Sequence, residues 1–503
     1  MIAGSARQSA IYHEISWRHA SMAAMRRLAW LIVGAAGCGS VTNKSPDAGA
    51  EGDGAIGVAP GSIRWVRSLS SMEALGVSDG PGGLTVAGAI SAPANLGGQT
   101  LVPAGAFDMI VAGFDAETAD HVFSVRHGDV GSEFGFLHYE DSNGAPMVYG
   151  VSYGNVDLGL GAMTGGSPTS TILADGFIGR FGPAAPAWIA RILRTNGNDP
   201  NTGEAKILAS APGPGSTIYA GGYIANTSTF TLTSGGPTTT IKTLTSTGDR
   251  DIFLARFNTF TGAVELTRTY GGIADDEITG AASIGGALVI AGRFGDSGGQ
   301  QGTLAFGGTA KPLTSNGGLD IFVAKLDGNG DGVWDVHYGG TGDEKDPRIA
   351  VDAAGDLYVT GTFTGQVAFG AVNLVSMGDS DVFVAKLRGS DGSVAWAISR
   401  GTAMIDRAGD IAVDAMGHVV VGASLNGTPM ANGDALLESF DASNGSSRWA
   451  KTFATPGPDG VNVVTYGRNG DLYATVGLGA AFDFGMPIIG AAGPAAVLLR
   501  IAP

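Results

Sequence analysis

Asp327, Asn329, Asp331 and Asp335 fall within the nonapeptide DGNGDGVWD, the first three at alternate positions. Oxygen donors at this spacing on a turning backbone suit Ca²⁺, a hard cation that takes about six to eight oxygen ligands. Asp327, Asn329, Asp331 and Asp335 would supply side-chain oxygens, Val333 its carbonyl, and Gly332 the sharp turn. Tyr338 stands where such loops often place a bidentate glutamate. The sister stretches Asp441-Ala442-Ser443-Asn444-Gly445 and Arg388-Gly389-Ser390-Asp391-Gly392 lack the full ligand set. The same nonapeptide therefore also reads as an ordinary Asp/Gly hairpin. Calcium is the one cofactor these residues suggest.

Further acids are spread along the chain at Glu73, Glu133, Glu204, Asp276, Glu277, Asp343, Glu344, Asp346, Asp406 and Asp459. They recur in one kind of segment, described below, and read either as a binding rim or as solvated loop residues. Two peptides imitate catalytic motifs. Gly295-Asp296-Ser297-Gly298-Gly299 spells the surroundings of a serine-protease nucleophile, but nothing else in the chain supplies the base and orienting acid that chemistry requires. Gly76-Val77-Ser78-Asp79-Gly80 spells G-x-S-x-G without the strand-elbow-helix context of a hydrolase. The histidines form neither H-x-x-x-H nor H-E-x-x-H, so a zinc site is unsupported. No catalytic residue is assigned.

The elements that carry these residues repeat. D-x-F-V-A-K-L appears as DIFVAKL from Asp320 and DVFVAKL from Asp381, with weaker copies from Asp108, Asp175, Asp251, Asp434 and Ala495. Their spacing is roughly 64 residues, and a fixed period of this kind marks a repeat architecture. After each copy come a turn and a second strand, marked by Trp188, Trp334, Trp396 or Trp449, or by Phe123 or Leu266. A run such as RIAVDAAG from Arg348 follows, then a strand ending in Gly, such as DLYVTG from Asp356. Apolar runs of strand length separated by Gly/Asp turns make each unit four antiparallel strands. The spacing predicts an all-β fold, a seven-bladed β-propeller of four-stranded antiparallel blades. The domain opens on a Trp65 strand and closes on the Ala495 copy. The N-terminal strand is therefore expected to complete the last blade and remove an open sheet edge. The acids named above lie in the links between Trp-type and I-A-V-D-type strands. Those links share one face with the long segments Tyr223–Arg250 and Thr362–Ser380. Binding is expected on that long-loop face, because loops on a rigid scaffold carry function.

IAVDAAGDLYVTG (Ile349–Gly361) and IAVDAMGHVVVG (Ile411–Gly422), with D-x-F-V-A-K-L strands nearby, resemble SBBP-type bacterial propeller repeats and, more loosely, NHL repeats. The resemblance implies a secreted or surface-attached propeller. DASNGSSRW (Asp441–Trp449) and NTFTGAVEL (Asn258–Leu266) are similar to the D-x-x-T-G-x-x-x-W segments of quinoprotein-type propellers. That likeness implies a Trp docking each blade on the next. The Asp327–Asp335 stretch resembles the calcium loops of FG-GAP propellers.

The chain has 503 residues, 84 of them glycine, and a net charge of −17. That charge argues against nucleic acid as a partner. Residues 1–24 read as a mis-called extension, with Met22 or Met25 the true start. Residues 25–37 read as a signal peptide, from Met25-Arg26-Arg27 through an apolar run. Ala35-Ala36-Gly37-Cys38 resembles a bacterial lipoprotein signal, which implies lipidation of Cys38. Residues 38–61 read as a flexible tether and 62–503 as the propeller. Cys38 is the only cysteine, so no intrachain disulfide forms. These features describe a monomeric lipoprotein of a Gram-negative outer membrane or cell surface, touching the membrane only through its lipid. It is expected to bind a protein or polysaccharide of the envelope. The alternative is an extracytoplasmic propeller enzyme, glycan-active or quinoprotein-like.

Overall fold

The computed structural model describes residues 59–153, 157–161, 174–194, 204–225, 229–234, 240–296, 301–428, 433–490 and 496–503. The signal peptide, Cys38 and nearly all of the tether lie outside the described residues, as do Ser297, Gly298 and Gly299 of the protease-like peptide. Every regular element among the described residues is a β-strand.

The repeat unit is a four-stranded antiparallel meander. The unit beginning with Met72–Gly80 continues through Gly83–Ile90 and Asp108–Phe114 to His121–His127. The first strands of successive units are Met72–Gly80, Ser132–Glu140, Ala205–Pro212, Asp275–Ile284, Glu344–Val351, Ile405–Val413 and Gly460–Tyr466. Each packs against the next, and the last packs against the first, so the sheets close into a β-propeller around a central channel. Every one of these inner strands carries a register shift, for example between Ile278 and Gly280. Such bulges raise local twist, which a sheet radiating from an axis requires. The Gly ending each second strand follows from the same crowding. A Cβ on Gly292 would lie 1.9 Å from the Glu277 carbonyl oxygen on the neighbouring strand.

The expected closure is present. Ile63–Leu69 pairs antiparallel with Ala496–Ile501, outside the strands Gly460–Tyr466 and Leu472–Gly477. The Gly61 amide donates to the Ala502 carbonyl (2.9 Å), and the Ala502 amide donates to Ser62 (2.9 Å). Arg500 holds Asp471 at 2.5 Å, and Arg64 holds the same carboxylate at 2.9 Å.

The sheets do not divide into the seven separate four-stranded blades that the spacing predicts. Among the described residues there are six sheets of four or more strands, three of them with four strands. Three local additions account for the rest. A parallel bridge from Arg250 to Asp275 fuses two units into an eight-stranded sheet. The hairpin Thr229–Ser234 and Thr240–Thr245 adds to the outer strand Trp188–Arg194. Ile488–Ile489 adds to Ile63–Leu69.

The Trp side chains act as the expected docks between neighbouring units. The Trp188 indole donates to the Thr259 carbonyl (2.8 Å), and the Trp396 indole donates to the Ala442 carbonyl (3.0 Å). Trp188 lies flat against Gly262, whose φ of +70° and missing Cβ both suit a tight turn. A Cβ on Gly262 would come within 2.6 Å of the indole.

Candidate functional site

The structure uses the scattered acids in a way that neither sequence reading anticipated. Glu133, Asp276, Glu344, Asp406 and Asp459 are fully buried, so they are neither solvated nor part of a channel rim. Five of the third strands also carry a buried Asp at or next to their start: Asp108, Asp175, Asp251, Asp320 and Asp381. Most of both sets close the preceding loop by accepting an amide from four residues back, whereas neither carboxylate oxygen of Glu133 has a hydrogen-bond partner among the described residues. Asp276 accepts from Gly272 (2.9 Å), Glu344 from Gly340 (3.1 Å), Asp320 from Asn316 (2.9 Å) and Asp381 from Met377 (3.1 Å). Parallel bridges at Phe107–Ser132, Arg250–Asp275 and Ser380–Ile405 set the two kinds of acid beside each other at the joints. The invariant-looking Asp of the repeat is thus a loop latch.

This pairing of buried acids shifts their titration. Burial, then the nearby Asp108 and Asp129, push the Glu133 carboxyl up to about 9. Burial, with Asp320 and Asp343 adding to it, pushes Glu344 up to about 8. Burial also raises Asp320 to about 6 and holds Asp276 well above the usual carboxylate range.

The long segments do not frame the channel mouth as expected. They fold outward over neighbouring outer strands. Phe306 packs on Tyr270 with ring centres 5.1 Å apart, and Phe369 stacks on Tyr338 at 4.8 Å. Phe482 and Phe484 both pack on Phe453. Burying these aromatic side chains covers outer edges that would otherwise be open to pairing. The short links, with tips such as exposed Ile273 and Met404, are left around the mouth.

The Asp327–Asp335 stretch forms a hairpin on the opposite face. The Asp327 carboxylate accepts the amides of Asn329 (2.8 Å) and Asp331 (3.0 Å), and the Asp327 amide donates to the Asp331 carbonyl (2.9 Å). Asp335 lies within the strand Gly332–Tyr338, where burial raises its carboxyl. Among the described residues, no three acidic, His or Cys side chains are gathered closely enough to hold a metal ion. Asp327, Asn329, Asp331, Val333 and Asp335 are thus spread over one turn and the strand that follows it. Asp327 instead serves its own turn.

The central channel has a volume of about 1050 Å³. Six cationic side chains line it (Lys206, Arg250, Arg293, Lys345, Arg348 and Arg407) against five acidic ones (Glu73, Glu277, Asp343, Asp346 and Asp410). The whole chain holds 29 Lys and Arg against 46 Asp and Glu, so the channel concentrates positive charge. Its densest part is one ion-paired group. Glu277 joins Arg250 (3.2 Å) to Arg293 (2.9 Å), and Glu204 joins Lys206 (3.4 Å) to Arg250 (3.9 Å). Tyr223 donates to Glu204, and the Arg250 guanidinium lies 4.6 Å from the centre of the Tyr223 ring. Burial alone would lower the Lys206 ammonium, but Tyr223, Glu204 and Tyr153 more than offset it and keep it protonated. Burial lowers Arg407 to about 10, leaving it charged at neutral pH.

Beside this group the wall is aromatic. Phe134, Phe136, Tyr149 and Tyr153 line the channel, with Phe136 stacked on Tyr149 at 5.6 Å and 18°. Sequence reasoning missed Lys206, Arg250 and Arg293, which lie about 90 residues apart at their extremes. The signal that marks them is a basic residue at the start or end of an otherwise apolar strand, as in Arg250 before DIFLARF and Arg293 after ALVIAG.

No family model and no curated protein matches the chain, so the SBBP, NHL and quinoprotein likenesses stay resemblances. Solved structures similar to it include BamB from Moraxella catarrhalis, at 14% identity, covering 88% of this chain and 98% of that one, with a TM-score of 0.37. A quinohaemoprotein alcohol dehydrogenase from Pseudomonas putida HK5 matches at 12% identity over 88% and 76%, with a TM-score of 0.41. A europium-containing methanol dehydrogenase matches at 10% identity over 88% and 92%, with a TM-score of 0.36. The propeller assignment rests on the strand pairing itself.

Proposed function

We propose that this chain is an exported, SBBP-like propeller, lipid-anchored through Cys38, that binds a polysaccharide of the cell envelope in the channel mouth on the long-loop face. Its seven inner strands, each packed on the next, support reading it as seven blades with two of them fused. The observation that carries the reading is the channel itself. Inner strands from around the whole ring bring charged and aromatic side chains to one cavity of about 1050 Å³. A cavity of this size with a few convergent polar groups is the usual form of a ligand site. It admits a short saccharide or a chain end more readily than the surface of a protein. The anchor is supported by the run from Met25 to Cys38.

The test is binding of the full chain to a panel of envelope polysaccharides, with Ala281→Trp and Ala350→Trp each placing a bulky ring in the channel. Ser443→Trp, on an exposed hairpin of the opposite face, is the control. Binding is expected in the wild type and the control and at least tenfold weaker in both channel variants. Binding that both variants retain would refute a channel site. Release of new reducing ends from a bound polysaccharide would establish the alternative, a glycan-active enzyme.

A further inference from the structure

One inner strand departs from regular pairing further than a single bulge, and the step taken from it rests on the channel-binding reading above. Between Ile278 and Gly280 the inner strand skips one residue, whereas in Glu344–Val351 the pairing passes from Lys345 to Arg348 and leaves both Asp346 and Pro347 out of the ladder. Asp346 has a φ of +52°. That left-handed region is unfavourable for a residue with a Cβ, although Asp enters it more readily than most. A residue that precedes proline is also pushed toward extended backbone, so Asp346 goes against two local preferences at once. The neighbouring inner strand, Asp275–Ile284, holds the distortion in place. The Thr279 hydroxyl donates to the Pro347 carbonyl (2.7 Å), and the Arg348 guanidinium donates to the Thr279 carbonyl. Strain of this kind persists where surrounding contacts over-determine it, and such places cluster at ligand sites.

Burial shows what the distortion accomplishes. Glu344, Pro347 and Ile349 are buried along this strand, whereas Asp346 is exposed. Of the five acids that line the channel, it is the exposed one. Basic side chains surround it. Lys345, which also holds Asp343 at 2.9 Å, and Arg348 line the channel from the same strand. Arg407 lines it from the next inner strand, where burial lowers the guanidinium and the nearby Asp346 charge opposes that effect. A carboxylate only accepts hydrogen bonds, and ammonium and guanidinium groups only donate them. A hydroxyl does both, so it can satisfy the two kinds of group together. An anionic ligand group would meet Asp346, and a cationic one would meet three basic side chains, which leaves a neutral group favoured. From this placement we infer that Asp346 is a binding residue for a neutral sugar, its carboxylate accepting two adjacent ring hydroxyls whose oxygens face Arg348 and Arg407. The strained backbone fixes that carboxylate toward the ligand in advance.

The probes are short glucan, mannan and galactan oligosaccharides and their O-methyl ethers, which keep every ring and acceptor oxygen but carry no hydroxyl donor. Each is titrated calorimetrically into the full chain, into Asp346→Asn and into Asp346→Gly, and melting curves are recorded for parent and variants. At least one oligosaccharide is expected to bind, at least tenfold more tightly than its ether, and both variants are expected to bring it close to the ether. Asp346→Gly suits the positive φ and is expected to melt at or above the parent temperature while it loses binding. A clear fall in its melting temperature would make Asp346 a folding residue and overturn the inference. Unchanged binding in both variants, with the Trp-sensitive polysaccharide binding intact, would overturn this inference alone. So would failure of every neutral oligosaccharide to bind, or tighter binding of a cationic chitosan oligosaccharide. Loss of Trp sensitivity would bring down the channel reading with it.

Discussion

Deleting Ile63–Leu69 is expected to leave a chain without a cooperative unfolding transition at growth temperature. The strand places Val66 and Leu69, both fully buried, and Trp65, 7% exposed, into two different core clusters. Losing a buried Trp costs about 3–5 kcal/mol and a buried Val or Leu about 1.5–3 each. The total, roughly 6–11 kcal/mol, matches the whole stability of many domains. Arg67 on the same strand donates to the carbonyls of Leu96 and Ala119, so the first unit loses a loop anchor as well. The deletion also exposes the edge of Ala496–Ile501, and unpaired edges aggregate. Denaturant unfolding of the deletion and the parent checks this, and adding the missing heptapeptide in trans should restore part of the loss. Matching midpoints would mean that the first strand contributes no closure.

The second large effect is on pH dependence. Unfolded, Glu133 and Glu344 ionise near the ordinary value of 4.5, whereas folding raises them to about 9 and about 8. Between those limits the folded chain binds more protons than the unfolded one, so stability falls as pH rises. One pKa unit corresponds to about 1.4 kcal/mol. The drop from pH 5 to pH 9 is therefore expected to reach several kcal/mol. The charged neighbours set how steep it is. Asp108 and Asp129 add to the burial of Glu133 while Arg191 and Arg126 oppose it, and at Glu344 Asp320 and Asp343 add while Lys345 opposes. Calorimetric melting between pH 5 and 9 should show a falling midpoint, and Glu133→Gln with Glu344→Gln should flatten it. A midpoint that rises toward pH 8, or a double variant with an unchanged profile, would show that these carboxyls are already ionised in the fold.

The strand order was legible because it depends on local alternation. I-A-V-D runs, Trp strands and Gly-ended strands each announce one position in the meander, and their order forces Ile63–Leu69 outside Ala496–Ile501. The paths of the long segments were not legible, because aromatic pairs such as Tyr270–Phe306 and Tyr338–Phe369 decide them, and no local pattern links those partners. The acids were visible in sequence, but their burial was not, because a loop latch and a solvated loop acid have the same composition. The Asp327 loop poses the same problem of composition. Its oxygens have the spacing of a calcium loop, yet the Asp327 carboxylate is taken by its own turn. The sheet count differed because one bridge, Arg250–Asp275, fuses two units.

The central claim is that ligand enters the channel at the long-loop face, and methionine oxidation reads that face directly. Met404, 39% exposed, sits on a link beside the channel residue Ile405, whereas Met416, 73% exposed, tips a hairpin on the opposite face. With the envelope polysaccharide bound, Met404 is expected to oxidise several-fold more slowly while Met416 oxidises at its unliganded rate. Protection of Met416 with Met404 unchanged would place the ligand on the hairpin face and contradict the account.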